Sequence, residues 1–157
     1  MEFLHDPQVM IFGKFVIAMV LGAVIGLERE VSAKPAGLRT HMIVVGVACL
    51  VMSLNQVMKA AAGEASGTVL QRSDPLRLVQ GLIMGISFIG AGTIIRRAAS
   101  DKVEGLTTAA SILLSTVIGV YVALSQYFVA IAVTVLAVVV LHQLPAITDR
   151  FKPKSGD

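Results

Sequence analysis

LTTAASILLSTVIGVYVALSQYFVAIAVTVLAVVVLHQL, residues 106–144, runs for 39 residues without one Asp, Glu, Lys or Arg. As one helix it would be a rod of roughly 60 Å, about twice the hydrocarbon thickness of a bilayer. Ser125-Gln126 interrupts it near the middle. The stretch therefore reads as a tight hairpin of two crossings, 106–124 and 127–144. Four crossings with an interfacial last segment is the alternative.

Outward from this hairpin, residues 9–27, 42–58 and 78–95 form three more apolar blocks near the length that a spanning helix needs. Hydrophobic residues make up 55% of the 157 and charged residues 15%, where soluble domains carry about a quarter charged. The sequence thus describes an all-α integral membrane protein, a single domain over 1–157 with about five transmembrane helices. The formal charge of +3 does not point to nucleic acid, because the basic residues sit at helix ends and form no patch. Cys49, alone in the chain, rules out an intrachain disulfide and reads as a small hydrophobe. The first block is retained as a helix: Glu2 and Asp6 precede it, no Lys or Arg comes before Lys14, and charges follow it where a signal peptide would be cleaved.

Loop charge sets orientation. The 28–41 loop, the 96–105 loop and the tail after 144 carry nine Lys and Arg; the opposite set, with the 59–77 loop, carries three. The N-terminus is expected outside and the C-terminus in the cytoplasm. In the outer loop, residues 60–67 are small and Ser73-Asp74-Pro75 reads as a helix start. Lys14, His41 and the charges after helix 1 read as snorkelling or interfacial groups.

The chain also echoes itself. Helix 1 ends Gly-rich, passes charges and re-enters at Gly37-Leu38-Arg39-Thr40; helix 3 ends Gly90-Ala91-Gly92, passes Arg96-Arg97 and re-enters at Gly105-Leu106-Thr107-Thr108. This suggests a two-plus-two parallel repeat with a fifth helix added, and transporter sites often lie at such repeat interfaces. Ala18, Gly22 and Gly26 share one face of helix 1, as Gly81 and Gly85 do on helix 3. Such faces let backbones approach closely, here helix 1 on helix 3 or one copy of the chain on another as a homodimer.

The chemistry sits in the two charged hairpins. Mg²⁺ takes hard oxygen ligands, with one or two carboxylates as the usual protein share. Glu28 and Glu30 are the candidate metal ligands, with Thr40, Thr107, Thr108 and Ser111 as neutral oxygens along a path. Arg29, Arg39 and Arg96 compete for those carboxylates, and Glu28 and Arg39 flank one turn and are expected to pair across it. The arginines equally suit an anion at the helix N-termini after Gly37 or Gly105. No nucleophile–base pair or P-loop is visible, so an enzyme is not expected and no cofactor is called for.

Gly26-Leu27-Glu28-Arg29-Glu30, then Ala36-Gly37-Leu38-Arg39-Thr40-His41, then GISFIGAGTIIR over 85–96, then VEGLTTAAS over 103–111 follow one another in a distinctive order. In these blocks the chain resembles the MgtC/SapB (YhiD-like) family of membrane proteins. The resemblance implies a bacterial inner-membrane protein linked to Mg²⁺ or ion homeostasis, either as a transporter or channel-like protein or as a small regulator that binds a larger membrane complex such as a P-type or F-type ATPase. It maps the family's charged signature onto Glu28, Arg29, Arg39 and Thr40, and its second hairpin onto Arg96 and residues 105–108. Position 87, usually Gly in the family, is Ser. Virulence-type members add a cytoplasmic domain like small-ligand-sensing ACT domains; here the sequence stops at Asp157, so the membrane core is expected to act alone.

Overall fold

The computed structural model describes residues 6–62, 75–97 and 102–151. Five helices follow in order, with a short ribbon between the third and fourth: α1 (Pro7–Val31), α2 (Leu38–Ala62), α3 (Pro75–Gly92), β1 (Ile95–Arg97), β2 (Lys102–Glu104), α4 (Leu106–Ala123) and α5 (Tyr127–Phe151). Four of them are long and apolar enough to cross a membrane; the apolar part of α5 described in full, Tyr127–Gln143, is shorter. The chain is a multi-pass membrane protein.

Each helix start has a local cause. Asp6 is extended, its carboxylate accepts the Gln8 N–H at 2.9 Å, and Pro7 fills the first turn, where no N–H is needed. α1 runs through Glu28, Arg29 and Glu30 and closes with Ser32 N–H on the Glu28 carbonyl and Lys34 N–H on that of Arg29, both at 3.0 Å. Its extension past 27 makes those three charges helical. α2 starts at Leu38, not 42, because the Glu30 carboxylate reaches forward across the turn to accept the Leu38 N–H at 2.8 Å. The outer 60–67 segment and the Ser73-Asp74 cap lie outside the described residues; α3 begins at Pro75.

The ribbon is a departure. Helix 3, expected to 95, stops at Gly92, where the Thr93 and Ile94 N–H groups turn back three residues to Gly90 and Ala91. Glycines hold a helix weakly, and such tightened bonds close it. β1 and β2 then pair antiparallel, with Arg96 opposite Val103. Gly105 starts α4 at φ 92°, a left-handed conformation, and a Cβ there would run into the Thr93 carbonyl. Gly37 at the first re-entry has no such conformation, so the two hairpins share sequence but not turn geometry. Between α4 and α5, Ser125 (φ 60°) and the Gln126 N–H bond to Tyr121 make the expected tight hairpin.

α2 packs on both α1 and α4, and α1 and α4 also touch each other. A Cβ on Gly22 would sit 2.7 Å from the His41 carbonyl oxygen, and one on Gly26 2.6 Å from Leu38 Cα. Gly46 of α2 receives Phe15 and Met19 of α1, and Gly119 of α4 lies against Val45 and Ala48. The small face of helix 1, with Ala18 fully buried, therefore packs on α2 and not on α3. A Cβ on Gly81 or Gly85 would meet nothing within 4 Å. Half of the apolar span of α2 and of α4 is buried, but only 6% of that of α3. α3 leans on α4 and shows most of its surface outward.

Candidate functional site

α1 buries one stripe, Lys14, Ala18, Gly22, Ile25, Gly26 and Arg29, spaced by three and four residues as a helix requires. A cation stands at each end. Ionised groups inside a membrane are expensive unless they are paired or meet backbone carbonyls, and both cations do so.

Lys14 is 8% exposed and donates from Nζ to the Ala123 carbonyl at 2.9 Å. Ala123 ends α4, where carbonyls lack helical partners and the helix dipole favours a cation. The expectation that Lys14 snorkels outward gives way to this inward bond. A cavity of about 430 Å³ opens beside it, lined by Asp6, Gln8 and Gln56 among others.

At the other end, Arg29 is 2% exposed and donates from Nη2 to the Leu141 carbonyl at 3.1 Å. That carbonyl needs a donor. In a helix its partner would be the N–H of residue 145, which is a proline and has none. Arg29 also pairs through Nε with Glu28. The second Glu28 oxygen accepts the Ser32 hydroxyl at 2.9 Å, and exposed His142 stands 4.0 Å away. Glu28 thus pairs with its neighbour and not with Arg39, which lies exposed on the first turn of α2. The guanidinium at the adjacent position is buried with it, whereas Arg39 points out.

Glu30 is exposed and spent on the α2 cap. Positions 28 and 30 lie about 200° apart on a helix, so the two carboxylates do not converge. Among the described residues no group of three His, Cys, Asp or Glu is placed to hold a metal. The N-terminus of α2, a candidate anion site, already carries the Glu30 carboxylate.

The second part of the site lies between α2 and α4. His41 has no exposed surface: its Nδ1 is 2.9 Å from the Gly37 carbonyl and its Nε2 3.1 Å from the Ser111 hydroxyl. Ser111 also stands 2.8 Å from the Thr108 carbonyl. An interfacial anchor was expected at 41; the early start of α2 carries the ring inward instead. Thr108 is buried and Thr107 exposed, while Thr40 is half-buried. Arg96 is placed by its backbone in β1. A largely apolar cavity of about 260 Å³ between α4 and α5 touches both Ser111 and Leu141, so the histidine and arginine anchors border one space.

Lys14, Ser32, His41 and Leu141 are the members that the sequence reading missed or misplaced. Only the Pro145 spacing to Leu141 held a readable signal.

The profile of the MgtC family matches residues 15–150. The chain is 39% identical over 143 residues to an uncharacterized protein of Haemophilus influenzae, covering 91% of this chain and 59% of that one. It is 34% identical over 150 residues to protein SapB of Bacillus subtilis (94% and 61%), and 32% identical over 146 residues to a protein of Escherichia coli K12 named putative magnesium transporter YhiD (90% and 66%). The chain spans about three fifths of the length of these relatives. No solved structure matches it. With the profile covering most of the sequence and these identities along nearly all of it, the chain belongs to the MgtC family.

Proposed function

We propose that the chain serves Mg²⁺-linked ion homeostasis as a transporter or channel-like protein of the bacterial inner membrane, with its N-terminus outside and its C-terminus in the cytoplasm. Its working site is the charged cluster of Glu28 and Arg29 at the end of α1. The observation that carries this reading is a carboxylate and a guanidinium, both buried in a spanning helix and tied to α5. The name of the Escherichia coli relative, putative magnesium transporter YhiD, supports the ion.

Glu28 is not an open ligand, because Arg29 neutralises it. A cation that reaches Glu28 has to displace the guanidinium, which keeps its hold on Leu141. Arg29 then acts as a tethered counter-ion that yields and returns. Mg²⁺ sheds water reluctantly and is usually bound by one or two carboxylates with waters retained, so Glu28 alone is a sufficient protein ligand. The test is growth in low Mg²⁺ of a strain that depends on this gene. Wild type and Glu30→Gln should restore growth and Glu28→Gln should not; full restoration by Glu28→Gln removes the site.

A second reading is a small regulator that binds a larger membrane complex, such as a P-type or F-type ATPase, or a second copy of itself. The outward face of α3 favours it, with Gly81 and Gly85 open, Met84 75% exposed and Phe88 83%. A photo-crosslinker at Met84 in native membranes should capture an ATPase subunit if this is right. Capture of lipid alone sinks it.

A further inference from the structure

The cavity of about 430 Å³ at the start of α1 falls within the size range of small-molecule sites, roughly 300–1,000 Å³, and the fold leaves its polar groups partly unused. Lys14 lines it, 8% exposed, and gives Ala123 one of the three N–H donors of its ammonium. Ala123 is the last residue of α4, and the N–H groups of Ser125 and Gln126 turn back to Val122 and Tyr121, so its carbonyl is open to a side chain. Gln56 reaches the same carbonyl only at 3.5 Å. No other acceptor meets the ammonium among the described residues. Asp6, exposed before the first turn of α1, takes the Gln8 N–H on Oδ1, and its Oδ2 has no partner among the described residues. Met10, Ile11 and Val57 supply apolar wall.

The cavity lies at headgroup level. α1 has 25 residues, roughly 37 Å of helix against about 30 Å of hydrocarbon, so its first turn stands among the headgroups. Lys14 comes two turns later, and helical side chains lean toward the N-terminus, which carries its ammonium back to that edge. Its acceptor, Ala123, precedes Tyr127 by one turn, and tyrosine favours the membrane–water interface. The cavity thus offers a cation on its hydrocarbon side, a carboxylate on its water side, and beside them Met10, 52% exposed toward lipid.

We propose that this cavity binds the headgroup of an ethanolamine phospholipid from the leaflet at that end of the bundle. Its phosphate, the part nearer the acyl chains, accepts from Lys14 and the Gln56 amide. Its primary ammonium, further out, donates to Asp6, and the acyl chains pass over Met10. The order of charges along the headgroup matches the order in the cavity. A headgroup with only a negative charge leaves Asp6 facing an anion. A choline headgroup has no N–H for Asp6, and quaternary ammonium groups are held by aromatic cages, whereas no described residue lining this cavity is aromatic. The site stands whether or not the chain moves an ion, and whichever way the chain is oriented.

The test uses the full chain purified in detergent and stripped of lipid, with native mass spectrometry reading the lipid that it retains. Dioleoyl lipids with ethanolamine, choline and glycerol headgroups are added one at a time, and inorganic phosphate is added as a competitor. The expected result is that the ethanolamine lipid is held about tenfold more tightly than the other two, the size of one charge-assisted hydrogen bond, and that phosphate does not displace it. Lys14→Met should weaken it by about tenfold or more. Asp6→Asn keeps a capping side chain for α1 and should bring the ethanolamine lipid down to the level of the choline lipid. Equal retention of the three lipids, tighter retention of the glycerol lipid, displacement by phosphate, or unchanged selectivity in folded Asp6→Asn each overturns the proposal. The wild-type series and Asp6→Asn decide even if Lys14→Met fails to fold. Mg²⁺ flux lost in Glu28→Gln leaves this site untouched.

Discussion

Arg29 does two jobs with one guanidinium, and the sequence explains both. It neutralises Glu28 beside it and supplies the donor that Pro145 denies to Leu141. Removing one partner of a buried ion pair leaves a stranded charge, at a cost of about 3–5 kcal/mol. Arg29→Ala should therefore lower thermal stability in detergent by that order. In a Pro145→Ala background, the new N–H takes over the Leu141 carbonyl and the loss should shrink by about 0.5–3 kcal/mol in a double-mutant cycle. Equal losses in both backgrounds would say that Leu141 is not held by Arg29. Glu30 works more simply, as a remote cap of α2, and Glu30→Ala should cost about 0.5–2 kcal/mol.

The helices themselves were legible because the bilayer demands them: five apolar blocks and a break at Ser125-Gln126 leave few other solutions. Their ends were less so. α1 outruns its apolar block because Glu28, Arg29 and Glu30 are good helix formers with partners waiting on α5 and α2, and a hydropathy reading sees only charges. The β1–β2 ribbon was invisible for the opposite reason: six residues with no periodicity long enough to read. The small-residue faces were found, but sequence cannot say what they touch. That distinction is measurable. Gly26→Leu drives side-chain atoms into Leu38 and should cost at least the 1–3 kcal/mol typical of overpacking. Gly81→Ala and Gly85→Ala meet open space and should leave the monomer as stable or better, since alanine favours a helix by about 1 kcal/mol over glycine. If those two also weaken association measured in membranes, the α3 face is an interface; if all three variants behave alike, the assignment of α1 to α2 packing is wrong.

At the scale of the bundle, a cation stands at each end of the buried α1 stripe, with Ala18, Gly22 and Ile25 packed between them, while Ser53, Ser115, Thr116 and Thr134 are buried on the other helices. The sequence pointed to Glu28 and Arg29 but paired Glu28 with the wrong arginine, because the choice between Arg29 and Arg39 depends on which one the bundle buries. His41 lay just as deep and gave no sign of it. Orientation rests on loop charge, nine basic residues against three, and cysteine accessibility at Ser125 and Lys34 would read it: Ser125→Cys should label from outside and Lys34→Cys only from within. The central claim is that Glu28, released from Arg29, carries an ion. The purified chain in liposomes with a trapped Mg²⁺ indicator, wild type beside Glu28→Gln, tests it most directly. Entry in wild type that falls to the background of empty liposomes in Glu28→Gln is the predicted result; equal entry in the two, or none from folded wild type, contradicts it.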